Sequence, residues 1–367
     1  MSLLKKILAA VAGVVILGIA GLAVALSHNA ACGSAPAGVP VQPMKAVVNR
    51  CYGPPEVVRI EQRARPVPGD HEFVVKVHAS SVNPVDWHYL LGEPYIMRPS
   101  AGWGTPRDVY LGTDFAGTVE AVGRLETKFK PGDEIFGGGD GAFAQYLLLK
   151  DSEGVALKPA NVSFEEAAAA PVAGITALQG LRDAGKLKPG QKVLINGAGG
   201  GVGTFAVQIA KAMGANVTAA TNTGSLQLMQ SIGADRVVDY SREDITQGTD
   251  RFDLIVDLSG NHSIREYRRV LVPNGIYVMG GDTDKGHWLG PLMGMGSKMI
   301  GGKFAGVDVE MFFANLTPAD MTVLADLMQN GKVKPVIDRR YGLDEIAAAI
   351  GYQMTGHARG KVVVTIE

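Results

Sequence analysis

The chain has 367 residues, 46% of them hydrophobic, which is enough to bury the cores of two domains. With 35 Lys and Arg against 36 Asp and Glu the net charge is −1, and no basic stripe stands out, so nucleic acid is excluded as a partner. The 2 cysteines, Cys32 and Cys51, lie far from any Cys-x-x-Cys spacing, which excludes a four-thiolate zinc lobe and argues against a metal site generally.

From Ile7 to Leu26 runs an uncharged apolar stretch behind Lys5 and Lys6. About 20 such residues span a hydrocarbon core, so the expectation is one N-terminal transmembrane helix. A cleaved signal peptide is the competing reading, because "NAACGS" offers small residues. The stretch "ACGSAPAGVPVQP" reads as an exposed linker, and folding is expected to begin at Met44. Cys32 falls in that linker and Cys51 at a strand end, an arrangement that favours free thiols over a bridge between them.

Beyond Met44 come short alternating strands such as "EFVVKVHASSV", "FAGTVEAVG" and "FAQYLLLK", broken by one helical turn at "PVDWHYLLG". From "SFEEAAAAPVAGITALQGL" onward helices alternate with the strands "KVLIN", "NVTAA", "RVVDY", "FDLIVDLS" and "GIYVMGG", the pattern of a parallel sheet. The expected division is 1–43 anchor and linker, 44–165 catalytic domain completed by 335–367, and 166–334 nucleotide-binding domain.

The strand "KVLIN" runs into "GAGGGVGTFAVQIAKAMG", where Gly197, Gly200 and Gly203 occupy a strand-to-helix turn. Glycine there permits the tight turn, lets a pyrophosphate approach the backbone, and lets the helix pack close to the strand. The amides at the helix N-terminus then face phosphate. After the second strand, where NAD sites carry Asp or Glu, this chain has Thr221, Asn222, Thr223, Gly224 and Ser225. That favours NADPH, with NADH as the weaker cofactor, although the loop has no Arg or Lys to match the phosphate charge.

"AGGGVGTFAVQIAKAMGA", "SIGADRVVDY", "GTDFAGTVEAVG", "FKPGDEIFG" and "GHARGKVVV", in this order apart from the first two, resemble the medium-chain dehydrogenase/reductase superfamily and its zinc-independent quinone oxidoreductase branch. The resemblance implies an α/β protein: a GroES-like β-rich catalytic domain plus a Rossmann doubly wound parallel-sheet domain. It implies that Gly197, Gly200, Gly201, Val202 and Gly203 border the pyrophosphate, and that Tyr240 lies by the adenosine 2′-phosphate. Thr176 matches a position near the nicotinamide carboxamide, and Gly280 and Gly281 match a close approach of backbone to cofactor. Asn83 matches a residue beside the nicotinamide, and His88 stands where the family often has Tyr. Asp114 matches a position that braces the domain interface. A homodimer is expected by the same resemblance.

At the places where zinc alcohol dehydrogenases carry their ligands this chain has "ASSVNPVDWH" and "GTDFAG", so no zinc is expected. The expected chemistry is hydride transfer to a quinone or an α,β-unsaturated carbonyl, whose charge spreads into an enolate that one donor, His88 or Asn83, can stabilise. The alternatives are a zinc-free dehydrogenase or reductase of carbonyls and, in another class, a membrane-tethered NADPH-binding sensor or scaffold. By the positive-inside rule Lys5 and Lys6 put the domains outside the cytoplasm. NADPH is a cytosolic currency, and on that ground the domains are expected on the cytosolic side.

Overall fold

The computed structural model describes residues 3–35, 38, 40–281 and 286–366, without the side chains at 3–4, 6–12 and 291. Helix α1 (Leu3–Ser27) precedes a β-rich unit of β1 (Pro43–Val48), β2 (Arg59–Ala64), β3 (Glu72–Val82), α2 (Pro84–Leu91), α3 (Arg98–Ala101), β4 (Asp114–Val122), β5 (Glu134–Gly138), β6 (Tyr146–Lys150) and β7 (Val155–Leu157). A second unit follows: α4 (Phe164–Ala168), α5 (Pro171–Gln179), β8 (Lys192–Asn196), α6 (Gly201–Ala212), β9 (Asn216–Thr221), α7 (Leu226–Ser231), β10 (Arg236–Asp239), β11 (Phe252–Asp257), α8 (Ile264–Val270), β12 (Leu271–Met279), α9 (Pro291–Ala305), β13 (Asp308–Met311) and α10 (Pro318–Gln329). The tail is β14 (Ile337–Gly342), α11 (Ile346–Met354) and β15 (Lys361–Thr365).

The second unit holds a six-stranded parallel sheet in the order β10-β9-β8-β11-β12-β13. Val193, Leu194 and Ile195 of β8 are wholly buried, as a strand covered by helices on both faces requires. The order reverses between β8 and β11, and a doubly wound sheet binds its ligands outside the carboxyl ends of the strands at that switch. The first unit holds a seven-stranded sheet with the path β14-β15-β3-β4-β5-β7 and β6 beside β3. The tail therefore returns to the first unit, with β15 antiparallel to β3 from Val362 opposite Val82 to Thr365 opposite Ala79. One apolar core crosses between the units, joining Ala79, Ala116, Phe136 and Val363 to Val193, Phe205 and Leu324. The cleft between the sheets thus has a fixed floor.

The N-terminal segment departs from expectation. Val14, Ile16, Leu17, Ile19, Leu22 and Val24 of α1 are exposed, but among the described residues no helix is long and apolar enough to cross a membrane. The single-pass anchor is therefore not supported. The segment after α1 is no free linker, because residues 26–32 are bonded to the β-rich unit by Arg98, Gly104 and a disulfide. Ordered chain thus begins well before Met44. Cys32 and Cys51 are bridged, with Cα atoms 4.6 Å apart, contrary to the expectation of free thiols. Disulfides persist in oxidising compartments, which runs against the expected cytosolic placement. Residues 36, 37 and 39 of the expected linker lie outside the described residues.

Candidate active site

The turn after β8 is built of backbone. Gly197 has φ of +84°, a conformation that side chains other than glycine's rarely adopt. A Cβ on Gly203 would lie 2.5 Å from the carbonyl oxygens of both Gly197 and Ala198, so α6 can pack this close only with glycine there. A Cβ on Gly199 would meet Thr221 Oγ1 at 2.5 Å and Ser225 Oγ at 2.9 Å. Gly200 is the N-cap of α6 and faces open space, with nothing nearer its Cβ direction than Gly197 O at 3.7 Å. Gly201 and Val202 open the helix, and their amides are among those that a helix N-terminus leaves unsatisfied. This cradle fits the pyrophosphate of a dinucleotide. The tail completes it: Gly360 N donates to Gly199 O at 3.0 Å, and Gly360 bridges to Gly200.

The loop after β9 is where the adenosine end is expected. Thr221 and Ser225 are buried, Tyr240 is half-exposed with its N–H on Thr221 O, and Asn222 Oδ1 is buried without a partner. Two charged groups reach this loop from elsewhere, and the local sequence gave no sign of either. Arg359 Nη1 donates to Gly224 O at 3.2 Å, and among the described residues no carboxylate pairs with its guanidinium. Asp239, at the end of β10, accepts from Thr223 Oγ1 at 2.6 Å and from Ser241 Oγ at 2.6 Å. These hydrogen bonds hold its carboxyl below the usual carboxylate range and occupy both its oxygens.

At the other end a buried polar network joins the two units. Asp114, wholly buried, accepts from Ser81 Oγ at 2.7 Å, Asn83 Nδ2 at 2.8 Å and Lys361 Nζ at 3.3 Å, while its other oxygen accepts from Val172 N of α5 at 2.9 Å. Lys361 Nζ also donates to Asn83 Oδ1 and to Val82 O. Asn83 is only 2% exposed and its amide is committed on both sides. It is placed as the N-cap of α2, so the expectation that it donates directly to substrate is corrected to a positioning role. Asp86 closes the capping box, its Oδ2 accepting from Asn83 N at 2.7 Å, and burial pushes its carboxyl up to about 7.

His88 lies two residues beyond Asp86, roughly 200° around the helix and so on the face opposite Asp86 and Leu90. Its Nδ1 is 2.8 Å from Glu93 O, which accepts from Nδ1–H, and its ring lies 3.8 Å from that of Trp87. Nε2 is therefore the free nitrogen. Burial holds the imidazole pKa below its ordinary 6.5, so near neutrality Nε2 carries a lone pair and becomes a donor only on protonation. Thr176 bonds its hydroxyl back to Val172 O at 2.7 Å, leaving the oxygen's acceptor capacity. Gly281 is demanded by packing in the protein itself, since a Cβ there would lie 2.5 Å from Leu258 O, whereas a Cβ on Gly280 would press only on the movable tip of Leu258, 2.6 Å from Cδ2. Further along the chain, Tyr95 N donates to His287 O at 2.8 Å and His287 Nδ1 sits 2.8 Å from Glu93 Oε1.

Two family models match the chain: an alcohol dehydrogenase GroES-like domain over residues 69–160 and a zinc-binding dehydrogenase over residues 232–364. The chain is 32% identical over 336 residues to the 2-methylene-furan-3-one reductase of Solanum lycopersicum, covering 88% of this chain and 79% of that protein. It is 31% identical over 366 residues to the mitochondrial NAD(P)H oxidoreductase RTN4IP1 of Mus musculus, covering 88% and 89%. Among solved structures, the quinone oxidoreductase from Coxiella burnetii matches with a TM-score of 0.77 at 26% identity, over 89% of this chain and 100% of that one. The chain belongs to the medium-chain dehydrogenase/reductase superfamily. Within it, the protein is an NAD(P)H-dependent oxidoreductase. The zinc of one family model's description does not fit the donors found. Among the described residues no three His, Cys, Asp or Glu converge, and the site beside Asn83 and Asp114 is filled by the Lys361 ammonium.

Proposed function

We propose that the protein is an NADPH-dependent reductase of quinones or α,β-unsaturated carbonyls. The observation that carries this reading is the pairing of a glycine-built phosphate cradle with a buried ammonium–amide–carboxylate network at the start of the helix that carries one titratable imidazole, His88. When bound, NADPH supplies a hydride. A ring carbon of a quinone or the β-carbon of an enone accepts it at lower cost than a simple ketone carbon, because the charge moves onto an oxygen that one donor can stabilise. Once protonated, His88 would offer the proton for that oxygen at Nε2, its ring oriented by Glu93 O. Asn83, Asp114 and Lys361 fix the start of α2 and so the direction in which His88 points. The names of the tomato and Coxiella relatives support the same acceptor classes.

Arg359 supports NADPH over NADH, because it brings to the adenosine loop the positive charge that the loop lacks, beside the unpartnered Asn222 Oδ1. A homodimer through the free edge of β13 belongs to the same reading, and light scattering in solution decides it. The decisive experiment follows nicotinamide absorbance with benzoquinone and with an enone, using each cofactor. Turnover with at least one acceptor and higher kcat/KM with NADPH is expected. Tight NADPH binding with no turnover would leave the protein as a sensor or scaffold, and turnover confined to simple ketones would replace the acceptor class.

A further inference from the structure

Arg98 is fully buried, yet among the described residues no carboxylate pairs with it. A buried guanidinium is tolerated only when its donors are met. Here carbonyl oxygens meet them: Nε donates to Gly92 O at 2.8 Å, Nη2 to Leu91 O at 3.2 Å, and Nη1 to Leu26 O at 2.8 Å and His28 O at 3.0 Å. The rings of Tyr52 and Tyr95 each lie 4.4 Å from Cζ. Two of the four acceptors thus come from the end of α1, where carbonyls are left without helical partners and carry the negative end of the helix dipole. The same segment is held by Ala30 N on Gly104 O at 2.9 Å and by the Cys32–Cys51 bridge. Cys51 adjoins Tyr52, whose hydroxyl donates to Gly102 O at 2.9 Å.

On its other side Arg98 bears on the end of α2 and on Tyr95, which on the proposed reading border the mouth of the acceptor site. Leu91 and Gly92 end the helix that carries His88, and Glu93 O orients that imidazole. Tyr95 N donates to His287 O, and Ile96 N to Trp288 O. We propose that residues 26–32 are a working part of this mouth: Arg98 is a positioning residue for Tyr95 and the end of α2, and the Cys32–Cys51 disulfide is a redox latch that keeps the segment on it. The effect on turnover rests on the reading of the cleft as the acceptor site. A dithiol opens the latch by exchange. Its thiolate attacks Cys32 Sγ, in the exposed residue of the pair, and the S–S electron pair passes to Cys51 Sγ, which takes up a proton. The second thiolate of the reductant then displaces the Cys32 sulfur, which is protonated in turn, leaving two protein thiols and the reductant as its own disulfide. Arg98 then loses two acceptors, and Tyr95 and Glu93 lose their fixed footing.

The test uses the full chain in three forms: oxidised, reduced with dithiothreitol and desalted, and Cys32→Ser. With benzoquinone, KM should rise about tenfold in the second and third forms, the effect expected when one to two hydrogen bonds to a charged group are lost. The NADPH Kd should stay within about twofold, since the phosphate cradle is untouched. Protease should release the first 27 residues faster from both opened forms, and Trp103, next to Gly104, should shift its emission to the red. Arg98→Met should reproduce the raised KM and respond no further to reduction, and Arg98→Lys should recover part of it. Should Arg98→Met not fold, the reduced parent and Cys32→Ser decide alone. Unchanged KM in forms whose segment is demonstrably released would overturn the proposal, as would continued protection of the segment after reduction. A parent without turnover would instead overturn the functional reading, and the latch is then judged by proteolysis and Trp103 emission alone.

Discussion

The two ends of the proposed cofactor cleft are made of different materials. At the phosphate end the protein offers backbone: amides at the start of α6 and glycines whose neighbours leave no space for a methyl group. At the substrate end it offers buried charge, with Lys361, Asp114 and Asn83 of the β-rich unit satisfying one another and Asp114 also accepting from Val172 N of the second unit. The first end should tolerate exchanged side chains but no added atom at Gly203. The second should tolerate a changed shape but no lost charge.

The largest effect is expected from Lys361→Met, which leaves the Asp114 carboxylate buried with no cation and should cost about 3–5 kcal/mol of stability. Thermal denaturation measures it, and adding Asp114→Asn should recover part of the loss. A single variant as stable as the parent would abolish the contrast between the two ends. Next is Gly203→Ala, where a backbone clash on the scale of overpacking, about 1–3 kcal/mol, should weaken NADPH roughly 10- to 100-fold in a fluorescence titration. An unchanged Kd would mean that the turn yields freely.

His88→Phe should lower turnover by about one to two orders of magnitude while leaving NADPH binding intact. The parent's pH profile sharpens the point. His88 donates at Nε2 only as imidazolium, and its pKa is depressed, so kcat should rise as pH falls through a value below 6.5. That rise should be missing from the Phe variant; its persistence there would assign the proton to another group. The smallest effect is Arg359→Ala, with NADPH weakened about tenfold, as for loss of one charge-assisted hydrogen bond, and NADH almost unaffected. Equal losses for both cofactors would make Arg359 a brace between the units, with no part in phosphate recognition.

Most of the phosphate end was legible because it is contiguous: strand, glycines and helix follow one another, and period and glycine spacing announce them. The parallel sheet followed from the alternation of apolar runs with helical ones, whereas its strand order came only from the structure. The substrate end was only half legible. Asn83 and His88 lie in one readable turn, but Lys361 reaches Asn83 from 278 residues away, and Arg359 reaches Gly224 from 135. No periodicity reports a partner at that distance. Nor did local pattern reveal that Asn83 spends its amide inside the protein, or that Glu93 O fixes the tautomer of His88. The apolar run at the N-terminus correctly signalled a helix, but what its last carbonyls bind depends on Arg98, 72 residues beyond Leu26.

The return of β15 to β3 bears on how the molecule is made in a cell. A ribosome delivers β3 early and β15 only after the whole nucleotide-binding unit has been synthesised, and domains generally fold in the order in which they emerge. Until then one flank of β3, from Ala79 to Val82, has no strand beside it, and the Asp114 carboxylate has no ammonium. The nascent chain therefore passes through a stage with a complete parallel sheet and an open antiparallel one, whose exposed edge can pair with another chain until the tail arrives. Redox competence arrives late in synthesis, when β15 closes the sheet and brings Lys361 to its partners.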